Sequence, residues 1–346
     1  MNHTYQFESI VNDAVQSGQI AGMAIGIVRN GQLVYARGFG VRDLNTGQPV
    51  TESSLFHVAS VSKPFAATAV MQLACAGKLD LDAPLTHALP YFALDDARLP
   101  GVTLRRILSH MSGIPDVNDD NWNWGSQEND DGALERFVRS LTNQKLDFDP
   151  GERYSYSNTA YDVMGDVIAK ASGQTFEAYV KDHILDSLGM CTSTFLRADV
   201  DQTLATNGHI ANAEGKVRVV DVYPYNRAHG PCSSLHSSVV ELSHWAIATM
   251  NRGELDGRRI LPSEAVEAMW AQQVQDADGN GRGLGWALSE YWDQRCVWHY
   301  GGDPGYAAGL LMYPDVGAAL IVLVNSDWGL FNFGPMVDTM KDAVLG

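Results

Sequence analysis

Residues 55–77, LFHVASVSKPFAATAVMQLACAG, change character part-way along. Leu55 to Ala59 reads as extended chain. From Val61 to Ala76 the apolar residues follow helical spacing, with Pro64 tolerated in the first turn and Gly77 placed to end the helix. At the junction stands Ser60-Val61-Ser62-Lys63. A three-residue step on a helix brings both side chains to one face. A serine hydroxyl is a poor nucleophile near neutral pH and needs a base within hydrogen-bond reach. Lys63 fills that role only if burial or nearby positive charge lowers its pKa, so a desolvated amine at the foot of a cleft is expected. The helix N-terminus adds backbone donors and positive potential where an oxyanion would form. Alone the pattern is weak: at average serine and lysine usage a chain of this length contains S-x-x-K roughly once by chance. An ordinary solvated helix turn reads the same.

Upstream, Phe7, Ile10, Val11, Ala14 and Val15 recur at helical spacing and predict an opening helix that ends near Gly18. Met23–Val28 and Gln32–Gly38 are β-rich runs flanking Asn30-Gly31, a dipeptide suited to a tight hairpin. Downstream, helical patterns cover Thr103–Met111, Gly132–Leu141, Thr159–Ser172 and Thr175–Leu188. Between them, Asp116–Asp131 reads as a solvated loop whose Trp122 and Trp124, like Tyr225–His229, are candidates for a cleft rim. Strand patterns return at Gly283–Ser289, Gln294–Tyr300, Tyr306–Met312 and Ala318–Asn325, and a last helix is expected over Pro335–Val344. The order predicts an α/β (α+β) protein: an antiparallel sheet flanked by helices, with an inserted all-helical subdomain. One catalytic unit is expected, its α/β part formed by 1–62 plus 215–346 and its helical part by 63–214.

Two further motifs lie in those parts. Tyr156-Ser157-Asn158 precedes the helix expected from Thr159. A tyrosine between Lys63 and Ser60 can relay protons to a leaving group, and Asn158 can hold a substrate amide or the lysine. Taken alone, Asn158 reads as a helix N-cap beside a packed tyrosine. His299-Tyr300-Gly301-Gly302 ends a predicted strand. Glycines there let a substrate approach the strand edge, and a free backbone N–H completes an oxyanion hole. Taken alone, it is an ordinary strand end and glycine turn.

The three motifs occur in the order serine-lysine helix, tyrosine loop, glycine-rich strand, each in the local structure its chemistry requires. In that order the chain resembles the serine β-lactamase and penicillin-binding-protein superfamily, and within it class C β-lactamases, DD-peptidases, D-aminopeptidases and β-lactamase-fold esterases. Ile107-Leu108-Ser109-His110-Met111-Ser112-Gly113-Ile114, and Pro150-Gly151 ahead of the tyrosine, add to the resemblance. It implies that Ser60 is acylated, that Lys63 and Tyr156 share general-base and general-acid duty, and that Asn158 contacts substrate. It also implies an oxyanion hole from the backbone N–H groups of Ser60 and Gly302. His299 stands where class C lactamases carry lysine, and an imidazole anchors a substrate carboxylate less strongly than an ammonium does.

The expected activity is therefore hydrolysis of an ester or a small peptide or amide through a Ser60 acyl-enzyme. A class C-like β-lactamase is the alternative, and a non-catalytic penicillin-binding or scaffold protein the rival from another class. No G-x-S-x-G elbow or H-E-x-x-H pair is present, so neither an α/β-hydrolase triad nor a metal hydrolase is expected, and no cofactor. A net charge of −17, from 41 acidic and 24 basic residues, argues against nucleic acid or anionic membrane as partner. No stretch approaches membrane-spanning length. The four scattered cysteines, Cys75, Cys191, Cys232 and Cys296, read as buried free thiols, with two disulfides the lesser option. The acidic N-terminus shows no secretory signal, so a cytoplasmic protein is expected; a chain whose leader had been removed would read the same.

Overall fold

The computed structural model describes residues 6–117, 122–212, 214–330 and 333–346. The first residues of the chain and Asn118–Asn121, read above as loop, lie outside the described residues. Helix α1, Gln6–Gln16, leads into strands β1, Gly22–Arg29, and β2, Gln32–Gly40. Their turn places Asn30 at φ 51° and Gly31 at φ 69°, the left-handed pair that a two-residue hairpin requires. The remaining strands of the main sheet are β3 (Val274–Gln275), β4 (Gly281–Arg282), β5 (Ala287–Tyr291), β6 (Gln294–Asp303), β7 (Tyr306–Tyr313) and β8 (Ala318–Val324). Among the described residues they make one antiparallel eight-stranded sheet of order β2-β1-β8-β7-β6-β5-β4-β3.

Both faces of this sheet are buried. Along β1, Ala24 and Val28 join the core on one face while Met23, Ile25 and Ile27 join that on the other, the alternation a strand imposes. The outer core is closed by α1 and two short C-terminal helices, α5 (Phe333–Asp338) and α6 (Lys341–Leu345). Behind the inner face lie α2 (Lys63–Cys75), α3 (Asn158–Ser172) and α4 (Val239–Met250). Phe65 of α2 stacks on Trp245 of α4 at 3.9 Å, so the helix that follows Ser60 is fixed to a helix packed on the sheet.

Several elements differ from the sequence expectation. The single helix expected over Pro335–Val344 is two, parted at Thr339 and Met340, where the backbone N–H groups bond to the Met336 and Val337 carbonyls in tightened three-residue steps. The stretch Thr175–Leu188 is α-helical only over Phe176–Val180 and then passes through π and 3-10 turns before left-handed Gly189. The strand expected from Gly283 begins at Ala287, since Gly283 and Trp286 are joined in a turn. All four cysteines are free, but only Cys232 and Cys296 are buried; Cys75, the last residue of α2, and Cys191, just past a helix end, face solvent. Among the described residues no helix is long and apolar enough to cross a membrane.

Candidate active site

Ser60 lies in a turn of 3-10 helix, Ala59–Ser62, that runs directly into α2. Ala59 just before it holds φ at 48°, a region that costs a residue with a side chain about 1–2 kcal/mol. Strain of this kind collects where a reactive group must be held off the regular path.

Lys63 is wholly buried. Its Nζ lies 2.8 Å from Ser60 Oγ, 2.7 Å from Asn158 Oδ1 and 2.9 Å from the Cys232 carbonyl oxygen. An ammonium has three donors and no acceptor, so three acceptors around Nζ are the coordination of the charged form. Burial pulls the amine's pKa down, but the ionisable Tyr156 and Cys232, with Asp162 behind them, outweigh it and leave Lys63 above its ordinary value. The sequence expectation of a lowered pKa is corrected accordingly. Desolvation is present, yet the groups arranged around Nζ hold its proton in place.

Tyr156 brings its ring to 4.8 Å from Lys63 Nζ. The imidazole of His110 stacks on that ring at 4.3 Å and 25°. Burial, and then the charge of Lys63, keep His110 well below the usual histidine pKa, so it is neutral. Its Nδ1 accepts from the Ser157 backbone N–H at 3.1 Å, which leaves the ring proton on Nε2. A fixed, uncharged ring thus sets the plane of Tyr156.

Of the two readings of Asn158, the helix cap falls to Ser157, whose hydroxyl accepts from the Ala160 N–H. Asn158 is thereby free to point Oδ1 at Lys63. Asp116 fixes that orientation, one carboxylate oxygen accepting from Asn158 Nδ2 at 2.8 Å and its backbone N–H at 3.0 Å. The other carboxylate oxygen accepts from Thr159.

The strand motif meets the serine from the opposite side. Strand β5 pairs with β6 only as far as Trp298, so from His299 to Asp303 the β6 edge has no strand beyond it among the described residues and faces the Ser60 turn. A Cβ on Gly301 would lie 2.3 Å from the Val58 carbonyl oxygen and 2.8 Å from the Ser60 backbone nitrogen; only glycine permits this approach. His299 Nδ1 lies 2.7 Å from the Tyr300 carbonyl oxygen and therefore carries the proton. Burial, then the charge of Lys63, lower the pKa of His299 to about 3. At neutral pH it presents an uncharged acceptor rather than a cation.

Ser60, Tyr156, His299, Gly301 and Gly302 line one cavity of about 300 Å³, with Lys63 and Asn158 behind it. Trp298, Tyr300, Tyr154 and Arg282 complete the wall. Arg282 is held by Asp276, at 2.6 and 3.0 Å. Trp122 and Trp124 stack on each other, and Trp122 packs on His229; neither they nor Tyr225–His229 line this cavity. Asp303, one residue past Gly302, accepts from His57 Nε2 at 2.7 Å and from the Ser233 hydroxyl, joining the strand end to the segments before Ser60 and after Cys232. Asp116, Arg282 and Asp303 carry no role in the sequence reading, each being a common residue type in a loop or at a strand end, and His110 enters it only within the family-like stretch Ile107–Ile114, without a role of its own.

A sequence model of the Beta-lactamase family matches residues 7–341. Among curated proteins, Protein flp of Staphylococcus aureus (strain MW2) is 25% identical over 322 residues, covering 92% of this chain, and the chain spans 62% of its length. Penicillin-binding protein 4 of Amycolatopsis lactamdurans is 30% identical over 317 residues, 88% of this chain and 81% of that protein. The octameric penicillin-binding protein homologue from Pyrococcus abyssi superposes with TM-score 0.83 at 27% identity, over 98% of this chain and 76% of that one. A D-amino acid amidase from Ochrobactrum anthropi SV3 (TM-score 0.81, 22% identity, 97% of each chain) and the hydrolase EstCE1 (TM-score 0.78, 20% identity, 98% and 97%) share the fold. A match running almost from end to end, over a sheet and helices of the same arrangement, places this chain in the Beta-lactamase family.

Proposed function

We propose that the protein is a serine hydrolase that forms an acyl-enzyme on Ser60 with an ester or a small peptide or amide. Supporting this reading above all is the buried Lys63 ammonium shared among Ser60 Oγ, Asn158 Oδ1 and the Cys232 carbonyl. In this step Tyr156 acts as a phenolate whose charge the adjacent Lys63 ammonium balances: as Ser60 Oγ attacks the substrate carbonyl, its proton passes to that phenolate, which becomes a neutral phenol. The carbonyl oxygen, now anionic, is received by the backbone N–H groups of Ser60 and Gly302. Tyr156 then returns the proton to the departing oxygen or nitrogen. Water releases the acyl group by the same steps in reverse, with Tyr156 carrying the proton and Lys63, which keeps its own, supplying the compensating charge throughout.

The anchor for a substrate carboxylate is weak in this cavity. His299 is uncharged and Arg282 is already paired with Asp276, so efficient turnover of an anionic β-lactam is not expected. Mass spectrometry after treatment with a fluorophosphonate tests the core of the reading: one phosphonyl adduct on Ser60 is expected, and its absence from folded protein points to a binding-only scaffold. Parallel assays with p-nitrophenyl acetate, D-amino-acid amides and nitrocefin separate the substrates. Fast turnover of nitrocefin alone would replace this reading with a β-lactamase.

A further inference from the structure

The wall of the Ser60 cavity is drawn from both faces of the sheet. His299 and Gly301 point to the inner face with α2, whereas Trp298 and Tyr300 point to the outer one, where register sets them beside Leu311 and Gly309 of β7. On that outer face two successive positions of β7, Ala307 and Gly309, carry almost no side chain. Val322 and Val324 of β8 flank them, and Phe333 and Val337 of α5 form the roof. The result is an apolar hollow of about 210 Å³, larger than the ~150 Å³ engineered apolar cavity that takes benzene. Tyr300 lines this hollow and the Ser60 cavity alike, its ring lying over Gly309, where a Cβ would come within 3.2 Å of it. Unusually for a large aromatic, Tyr300 is 38% exposed, at the junction of the two spaces.

We infer that the hollow between β7, β8 and α5 receives the apolar arm of the substrate's acyl group, making uncharged esters of medium-chain acids the preferred class. The inference rests on the reading of Ser60 as nucleophile. Any molecule seated in the hollow and reaching around Tyr300 has its near end at the serine, because Tyr300 directly precedes Gly301, which touches the Ser60 turn. Strand β7 lies one spacing, about 4.8 Å, beyond β6, so an acetyl group cannot enter the hollow, whereas a chain of about six to eight carbons reaches it. The cation in the cavity wall, Arg282, is already paired with Asp276, and Lys63 behind it has three acceptors, so a charged acyl group gains less here than an apolar one.

The test compares p-nitrophenyl acetate with p-nitrophenyl octanoate in wild type and in two variants that fill the hollow from opposite walls, Val322→Phe and Val337→Trp. Each methylene placed in an apolar pocket is worth about tenfold or more in kcat/KM. Wild type is therefore expected to favour octanoate, and the octanoate-to-acetate ratio is expected to fall at least about tenfold in each folded variant. Folded variants that keep the wild-type ratio overturn the inference. If wild type turns over neither ester, the Ser60 reading fails separately, and octanamide binding by saturation-transfer NMR decides the hollow on its own. Binding lost in Val337→Trp supports the inference, and binding unaltered in that variant overturns it.

Discussion

With three acceptors around its Nζ, Lys63 is a fixed cation in the resting site, so in the proposed mechanism proton movement falls to the oxygen atoms it touches or faces. Lys63→Ala and Tyr156→Phe are each expected to cut turnover by about 10²–10⁴-fold. The double variant is expected to lose little more than the worse single one, since groups that act as a unit are not additive. Steady-state rates on p-nitrophenyl esters check this, and a near-normal rate in either variant removes that residue from the mechanism. Asp116 works one step further out, through Asn158. Asp116→Ala strands the Asn158 amide and backbone donors, about 1–3 kcal/mol of lost orientation. A fall in kcat of about tenfold or more is expected while KM holds; KM rising with kcat unchanged would show that Asp116 serves binding rather than orientation.

Between elements, the tightest approach near the site is that of α3 and the turn Gly230–Ser233. A Cβ on Gly165 would lie 2.0 Å from the Pro231 ring, so the two segments meet only because residue 165 has no side chain. That turn carries the Cys232 carbonyl to Lys63. Gly165→Ala is expected to destabilise the fold by about 1–3 kcal/mol through overpacking and to lower turnover by dislodging that carbonyl. Thermal melting and rate measurements on one sample check both, and unchanged values would mean that the turn shifts freely. The same scale shows what was legible in the sequence. Strands β1, β7 and β8 match the sequence reading to within a residue at each end, and β2 and β6 start where expected but run two and three residues further, because alternating or continuous apolar runs have few other solutions while glycine-rich strand ends carry no pattern. Helix α4 was missed: Val239–Met250 is apolar on nearly every side and lacks the polar face that marks a helix. Its start was nonetheless written in Ser238 and Glu241, with the serine hydroxyl accepting from the Glu241 N–H. Around the serine, the motif residues could be named from order alone. Asp116 could not, nor could the part His110 plays within its family-like stretch, because both depend on contacts closed by the fold.

Taken as a whole, the molecule buries several uncharged histidines. His110, His209, His236 and His299 all have pKa values lowered first by burial, His299 to about 3. In the unfolded chain each takes a proton near pH 6.5. Below that pH the unfolded state binds more protons than the folded one, so their contribution is fully present above pH 6.5 and is lost as the pH falls towards the folded values. The loss is up to about 1.4 kcal/mol per pH unit for each histidine. Urea midpoints are expected to be lower at pH 5 than at pH 7.5, with a shallower dependence in His299→Gln; equal midpoints would show that these rings protonate without unfolding. Asp303, the acceptor shared by His57 and Ser233, closes a ring of segments drawn from positions far apart along the chain. Contacts of such wide separation form late, once the cost of closing long loops has been met. Chemical readiness at the serine is accordingly among the last things a newly made chain acquires. On the proposed reading of Ser60 a half-assembled molecule is inert, and a reagent that marks that serine takes a census of finished ones.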